Sequence, residues 1–287
     1  MNRSTVDVLI PAYNAAARIG RAIRSLRAQS LRDWRAVIVD DGSTDDTAEV
    51  VRRFGDDRLV VVRSPRNLGR GRARALGLTQ CTARYVALLD ADDWCLPERL
   101  ERLVAALEAG AGPAYAGSAA IIADGQGRAS LGRGPRKDSR LPVGWNWDPA
   151  IVLHPTLCLR RIVFQHVKYS PSRISEDFGM VRRLTGRFAG LVLAEPLYVY
   201  DEEQSQTAHK YYLSSLEVLH VTWGSTPSLA KRLGAAGVVA AKVSAYGLLS
   251  LFGLKRYAVF RHTWPIPASV QERVAQLGRS FQTSTIS

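Results

Sequence analysis

The alternation of short apolar runs with amphipathic ones between Val6 and Leu107 restricts this chain to few folds. Val6–Ile10 is apolar apart from Asp7. It precedes a stretch in which Ile19, Ala22, Ile23 and Leu26 recur at i, i+3, i+4 and i+7, the spacing of one helix face. Arg35–Val39, Leu59–Val62 and Tyr85–Leu89 are further strand-like runs. Between them, Ser43-Thr44-Asp45-Asp46 reads as a helix start and Gly71–Leu78 as a helix. Pro97 opens a fifth element with Leu100, Leu103, Val104 and Leu107 on one side. Strands separated by helices at this spacing predict a parallel sheet with right-handed crossovers. Ligands collect outside the carboxyl ends of such strands, so the residues that follow each strand carry the functional information.

Those residues are unusual. Strand one runs into Pro11-Ala12-Tyr13-Asn14, strand two into Asp40-Asp41-Gly42-Ser43, and strand four into Asp90-Ala91-Asp92-Asp93. Five carboxylates therefore meet at one sheet edge, where each raises the pKa of its neighbours. A divalent cation or donor groups on a ligand would offset that repulsion. Oxygen-only ligation suits Mg²⁺ or Mn²⁺ better than zinc. Taken singly, Asp41-Gly42-Ser43 is an ordinary turn and cap, and Asp92-Asp93 an ordinary acidic helix start. Their succession at three strand ends argues against that reading.

Charge narrows the partners. The 287 residues hold 39 Lys and Arg against 26 Asp and Glu, a formal charge of +13, and 46% are hydrophobic, enough to bury a core and to exclude a disordered chain. A basic excess suits nucleic acid, an anionic membrane or a phosphorylated substrate. Residues 1–110 carry only +3 of it, whereas 231–287 carry +7. Arg70, Arg72 and Arg74 fall at i, i+2 and i+4 and make no single stripe, so nucleic acid is not the expected partner. Three cysteines without a C-x-x-C pair give neither a disulfide framework nor a zinc site. The start of the chain is too short and interrupted for a signal peptide, which predicts a reducing, cytoplasmic setting. No G-x-G-x-x-G follows strand one and no G-x-x-x-x-G-K-[ST] occurs, which removes the dehydrogenase and P-loop kinase readings.

The order Pro11-Ala12-Tyr13-Asn14, Asp40-Asp41-Gly42-Ser43, Asn67-x-Gly69 with Arg74, and Asp90-x-Asp92-Asp93 resembles the family 2 inverting glycosyltransferases of the GT-A fold. The likeness covers about residues 5–110 and, more loosely, 111–205. It implies an α/β fold with a mostly parallel sheet flanked by helices, a Rossmann-like nucleotide-binding half, and here a helical C-terminal appendage. The expected division is 1–110 for the nucleotide-sugar half, 111–209 for the acceptor half and 210–287 for the appendage. By the same resemblance, Pro11, Ala12, Tyr13 and Asn14 wall the nucleotide and Asp41 accepts the imide N–H of a uracil-type base. Arg74 faces the base or diphosphate, Asp92 the ribose or metal, and Asp93 holds the metal. Glu176-Asp177 resembles the family's Glu-Asp motif, with Asp177 as general base and Glu176 beside the acceptor. His154 falls where the family often has a histidine near the sugar.

The implied activity is metal-dependent (Mn²⁺ or Mg²⁺) transfer from a nucleotide-sugar donor, UDP-linked, to a hydroxyl of a glycan or lipid-linked saccharide, in surface polysaccharide biosynthesis. A carboxylate takes the attacking hydroxyl's proton, and a metal with arginine meets the charge on the departing diphosphate. A catalytically weak nucleotide-sugar-binding or scaffold protein of the same fold is the alternative. The sequence departs from the family pattern at Ala75, where an Asn is common ahead of the glycine at Gly77, and again at Tyr200-Asp201-Glu202-Glu203, where acids replace a basic pair.

Segment 117–150, crowded with Gly, Pro, Arg and Asp, predicts a hairpin followed by a mobile loop, and the signal from Lys210 onward is helical. Leu233–Leu254 is apolar apart from Lys242 and lies between Lys231-Arg232 and Lys255-Arg256. Its length allows a membrane span. Lys242 and the glycines favour a buried helix pair or, foremost, a helix resting on an anionic membrane surface through residues 231–287, peripheral on the inner face.

Overall fold

Strand β1 (Val6–Ala12) is buried along its whole length at the centre of the sheet. It runs parallel to β2 (Trp34–Asp40) on one side and to β4 (Tyr85–Leu88) on the other, and β3 (Leu59–Arg63) adds beyond β2. Helices α1 (Ile19–Arg27), α2 (Thr47–Arg52) and α3 (Arg70–Leu78) make the crossovers, and α4 (Arg99–Glu108) follows β4 and the short β5 (Trp94–Cys95). The computed structural model describes residues 4–110, 112–123, 128–145, 151–170, 176–201 and 263–283, with isolated helical positions at 237, 240 and 244.

Two sequence details explain how β1 occupies the centre. Asp7 is fully buried, yet Arg35 grips both its oxygens at 2.9 and 3.0 Å, and the backbone N–H groups of Thr82 and Ala83 donate to it as well. A buried charge is tolerated when it is paired and hydrogen-bonded in this way. Pro11 lies within the strand because β4 pairs only as far as Leu9, so its missing N–H deprives no second neighbour.

The second half reverses direction. β6 (Tyr115–Ala123) and β9 (Cys158–Arg160) are antiparallel, and β9 joins β6 to β4. The hairpin expected after residue 117 is β6 with β7 (Ala129–Arg133). The long β10 (Gly190–Asp201) runs parallel to β6 and carries β5 and β8 (Ser139–Leu141) antiparallel. Helix α5 (Glu176–Arg187) covers the same side as α3.

The structure corrects three local expectations. Asp46 is the N-cap of α2 as expected, but Ser43 and Thr44 ahead of it form a loop that braces the cleft described below. The expected loop around Gly132-Arg133 is strand, because β11 (Thr263–Pro265) pairs with β7 and stacks the Trp264 ring on Gly132, where an added Cβ would fall 2.6 Å from it. β11 itself is strand within a stretch that reads as helical. It leads into α6 (Ala268–Thr283), whose Val274 and Phe281 bury against Trp94, Leu96, Ile121 and Val199. Residues 263–283 thus complete the body of the molecule. The proposed surface helix at 233–254 lies outside the described residues, apart from three positions. No helix among the described residues is long and apolar enough to cross a membrane.

Candidate active site

The carboxyl ends of β1, β2 and β4 open into a cleft of about 700 Å³, within the range of small-molecule sites. Its rim is the loop Pro11–Ala15, its walls are Asp41, Asn67 and Gly69, and its floor is Asp90-Ala91-Asp92.

The rim is zipped to the loop after β2. The Asn14 backbone N–H donates to Ser43 Oγ at 3.0 Å, and Asn14 Oδ1 accepts the Thr44 N–H at 2.9 Å. Asn14 takes a left-handed φ of 49°, a conformation that asparagine tolerates better than most side chains. Ala15 N–H bonds Thr47 Oγ1 at 2.8 Å. Asp41 is buried and each of its oxygens accepts a backbone N–H, from Leu68 and from Gly69, both at 2.9 Å. Its carboxylate therefore shapes the wall that carries Asn67, whatever else it binds. Gly42 beside it has φ +70°, and a Cβ there would come within 2.4 Å of the Arg66 backbone.

The three aspartates of the floor have separate environments. Asp90 accepts Arg74 Nη2 at 2.7 Å. Burial alone would raise its pKa, but Arg74 and Arg70 outweigh that and hold the carboxyl below its ordinary value. Asp92 faces the cleft, and burial together with Asp90 pushes it up. Asp93 is not part of the lining. It is buried, accepting Tyr198 Oη at 2.6 Å and the Asp201 N–H at 3.0 Å, and burial followed by Asp92 and Asp90 raises it well above the ordinary range. Asp93, expected to hold the metal, is anchored to β10 through one hydrogen bond to each of its oxygens.

Arg74 also departs from expectation. It is 2% exposed and does not face the cleft. Nη1 donates to Glu176 Oε1 at 2.5 Å, Nη2 to Asp90, and the guanidinium lies 5.7 Å from the Tyr169 ring centroid. Two carboxylates from opposite halves of the chain consume it. Glu176 is 2% exposed, and Asp177 next to it is half-buried, its Oδ1 accepting the Phe178 N–H at 2.8 Å. Neither lines the cleft, although Asp177 is near enough to bear on the charge of Arg74, His154 and Tyr169. His154 is buried, with Nε2 3.0 Å from Tyr169 Oη; burial and then Arg74 push its pKa down to about 4. Its ring packs edge-on against Tyr169, and it is not among the residues that line the cleft.

The family model described as glycosyl transferase family 2 matches residues 7–167. This chain belongs to that family. Succinoglycan biosynthesis protein ExoO of Rhizobium meliloti is 39% identical over 99 residues, which are 34% of this chain and 28% of that protein. The chain thus spans under half the length of the first curated relatives it matches, with 42% of an uncharacterized Haemophilus influenzae glycosyltransferase. The structure of S. aureus TarS 1–349 with UDP-GlcNAc superimposes with a TM-score of 0.59 at 19% identity, covering 98% of this chain and 92% of that one. The Pyrobaculum calidifontis mannosyltransferase PcManGT with GDP-Man and Mn²⁺ gives 0.58 at 16% identity, covering 99% and 88%. These likenesses show the GT-A fold.

For a family 2 glycosyltransferase, the floor fits a hard divalent cation in part. Asp92 is an oxygen donor destabilised by burial and by Asp90, which a cation would relieve. Among the described residues, no three acidic, histidine or cysteine side chains converge as a complete ligand set. The remaining ligands would have to be diphosphate oxygens and water, the usual manner for Mg²⁺. Sequence reasoning missed Arg18 and Arg70, both exposed and lining the cleft. Their signal was available, since each stands at the start of a helix that follows a strand, where anions collect. It also missed Tyr198, which had no signal, because only the pairing of β10 with β5 brings it to Asp93.

Proposed function

We propose that this protein transfers a sugar from a UDP-linked donor to a hydroxyl of a glycan or lipid-linked saccharide, with inversion and with Mn²⁺ or Mg²⁺, in surface polysaccharide assembly. The Arg74 bridge carries the reading. One guanidinium joins Asp90, on the floor of the donor cleft, to Glu176, the neighbour of Asp177, at 2.7 and 2.5 Å. A base candidate is thereby held in fixed relation to the donor floor, as a single displacement requires.

Pro11–Asn14 and Asp41 hold the base, and Arg18 and Arg70 meet the diphosphate. Asp177 takes the proton of the attacking hydroxyl. A cation bound by Asp92 with Asp90 would neutralise charge on the departing diphosphate. The UDP-GlcNAc bound by TarS and the name of the succinoglycan relative support this choice of donor and pathway.

A panel of UDP- and GDP-sugars, assayed for nucleoside diphosphate release with a saccharide acceptor, tests it. At least one UDP-sugar should turn over with Mn²⁺ and stop with EDTA. Thermal shifts without turnover of any donor would favour the scaffold reading instead. We further propose that the basic segment 231–287 contacts an anionic membrane surface, chiefly through residues before α6, since Val274 and Phe281 of α6 are already buried in the body. The protein should co-sediment with phosphatidylglycerol vesicles and be released by salt. Equal binding to neutral vesicles would remove that contact.

A further inference from the structure

Arg99 is the least expected charge in the molecule. It is the first residue of α4 and is fully buried. Nη2 donates to the carbonyls of Leu88 at 2.7 Å and Pro155 at 3.0 Å, while Nε and Nη1 have no hydrogen-bond partner among the described residues. Its guanidinium lies 5.2 Å from the centroid of the Tyr198 ring. A buried cation with incomplete hydrogen bonding is costly, and an apolar side chain of that length would fill the space more cheaply.

Two of its contacts bear on the Asp90–Asp93 loop. Leu88 ends β4, two residues before Asp90. Tyr198, beneath the guanidinium, donates to Asp93 Oδ2 at 2.6 Å and accepts the Asp90 N–H at 3.2 Å. Pro155 lies in the turn that carries His154. Arg74 grips the Asp90 side chain directly, whereas Arg99 reaches the backbone and, through the phenol, the far end of the loop.

We propose that Arg99 is a positioning residue for the Asp90–Asp93 loop. Through the Leu88 carbonyl and the Tyr198 ring it fixes the loop from behind, so that Asp92 is presented to a divalent cation. This assignment rests on the donor-site reading of the cleft. An arginine can do both because its flat face stacks on an aromatic ring while its edge donates hydrogen bonds. A lysine would keep the charge with less of the geometry.

Arg99→Met, Arg99→Lys and Tyr198→Phe, each in the full chain, separate these functions. Two readouts apply: amide hydrogen exchange of the segment 88–96 without metal, and the Mn²⁺ concentration that half-saturates the thermal shift produced with UDP. Arg99→Met should speed exchange at Asp90 and raise the half-saturating Mn²⁺ about tenfold or more, the usual range for residues that orient metal ligands. Arg99→Lys should recover part of the Mn²⁺ affinity, since an ammonium can still donate to the Leu88 carbonyl but cannot stack flat on the phenol, and Tyr198→Phe should lose an intermediate amount. Wild-type exchange and Mn²⁺ affinity in Arg99→Met would overturn the proposal, as would Arg99→Lys no better than Arg99→Met. If Arg99→Met does not fold, Tyr198→Phe decides, and wild-type behaviour there overturns it. A wild-type protein with no Mn²⁺-dependent UDP shift would sink the donor-site reading, while the exchange measurement would still test the positioning.

Discussion

Asp177→Asn should abolish sugar transfer while leaving the donor bound. The substitution keeps size and an oxygen that can accept the Phe178 N–H, the contact that Asp177 Oδ1 makes at 2.8 Å, so the first turn of α5 should persist. What it removes is the proton acceptor. General-base catalysis contributes about 10²- to 10⁴-fold, so kcat should fall by that factor. The donor KM should change by less than about threefold, since an interaction made only in the transition state lowers kcat and kcat/KM together. Initial rates of UDP release at saturating donor, with wild type and variant side by side, check this. A variant with wild-type kcat would remove Asp177 from the chemistry and require the proton acceptor to be another group.

The largest loss of stability should come from Arg74→Met. The guanidinium is nearly inaccessible and ties Asp90 to Glu176, so its removal strands carboxylates from two halves of the sheet. Breaking a buried pair by deleting one partner costs about 3–5 kcal/mol. Asp90 keeps some contact with the cleft, with 24% of its side chain exposed, which places the expectation near about 3 kcal/mol, the lower end of that range. Urea unfolding should show it as a lower midpoint at unchanged slope. Adding Glu176→Gln to Arg74→Met should recover part of the loss, because the orphaned charge goes with its partner. Additive losses in the double variant would mean that the two side chains do not act as a pair. A variant that kept full stability but lost UDP binding would return Arg74 to the diphosphate.

Much of the donor half was legible in the sequence. The strands β1, β2, β3 and β4 lie within two residues of their expected ends, because a strand covered on both faces is a continuous apolar run and a helix on the sheet shows a period of 3.6. The strand ends could then be read as a list of cleft residues, and Pro11–Asn14, Asp41 and Asp92 do line the cleft. Orientation was another matter. Asp93 stands in the same motif as Asp92, and Arg74 in the one that supplies Asn67 and Gly69, yet one turns to Tyr198 and the other to Glu176. Their partners lie 105 and 102 residues away, and no local pattern encodes contacts at that separation.

The C-terminal region shows the same division. Its basic excess and apolar content were plain, but whether an apolar helix face meets lipid or protein depends on what else is short of cover. For α6 the decision falls to Trp94, whose ring meets Phe281 edge-on at 5.6 Å. By itself, the sequence determined the parallel donor half of the sheet, its family and the carboxylates at its edge, because these follow from local periodicity and from motifs placed after a strand. Only the tertiary structure decided which carboxylates face the cleft and which arginines are spent holding them. Burial charges every polar group for the water it loses, and the partner that repays it is chosen by the fold rather than by its neighbours in the chain.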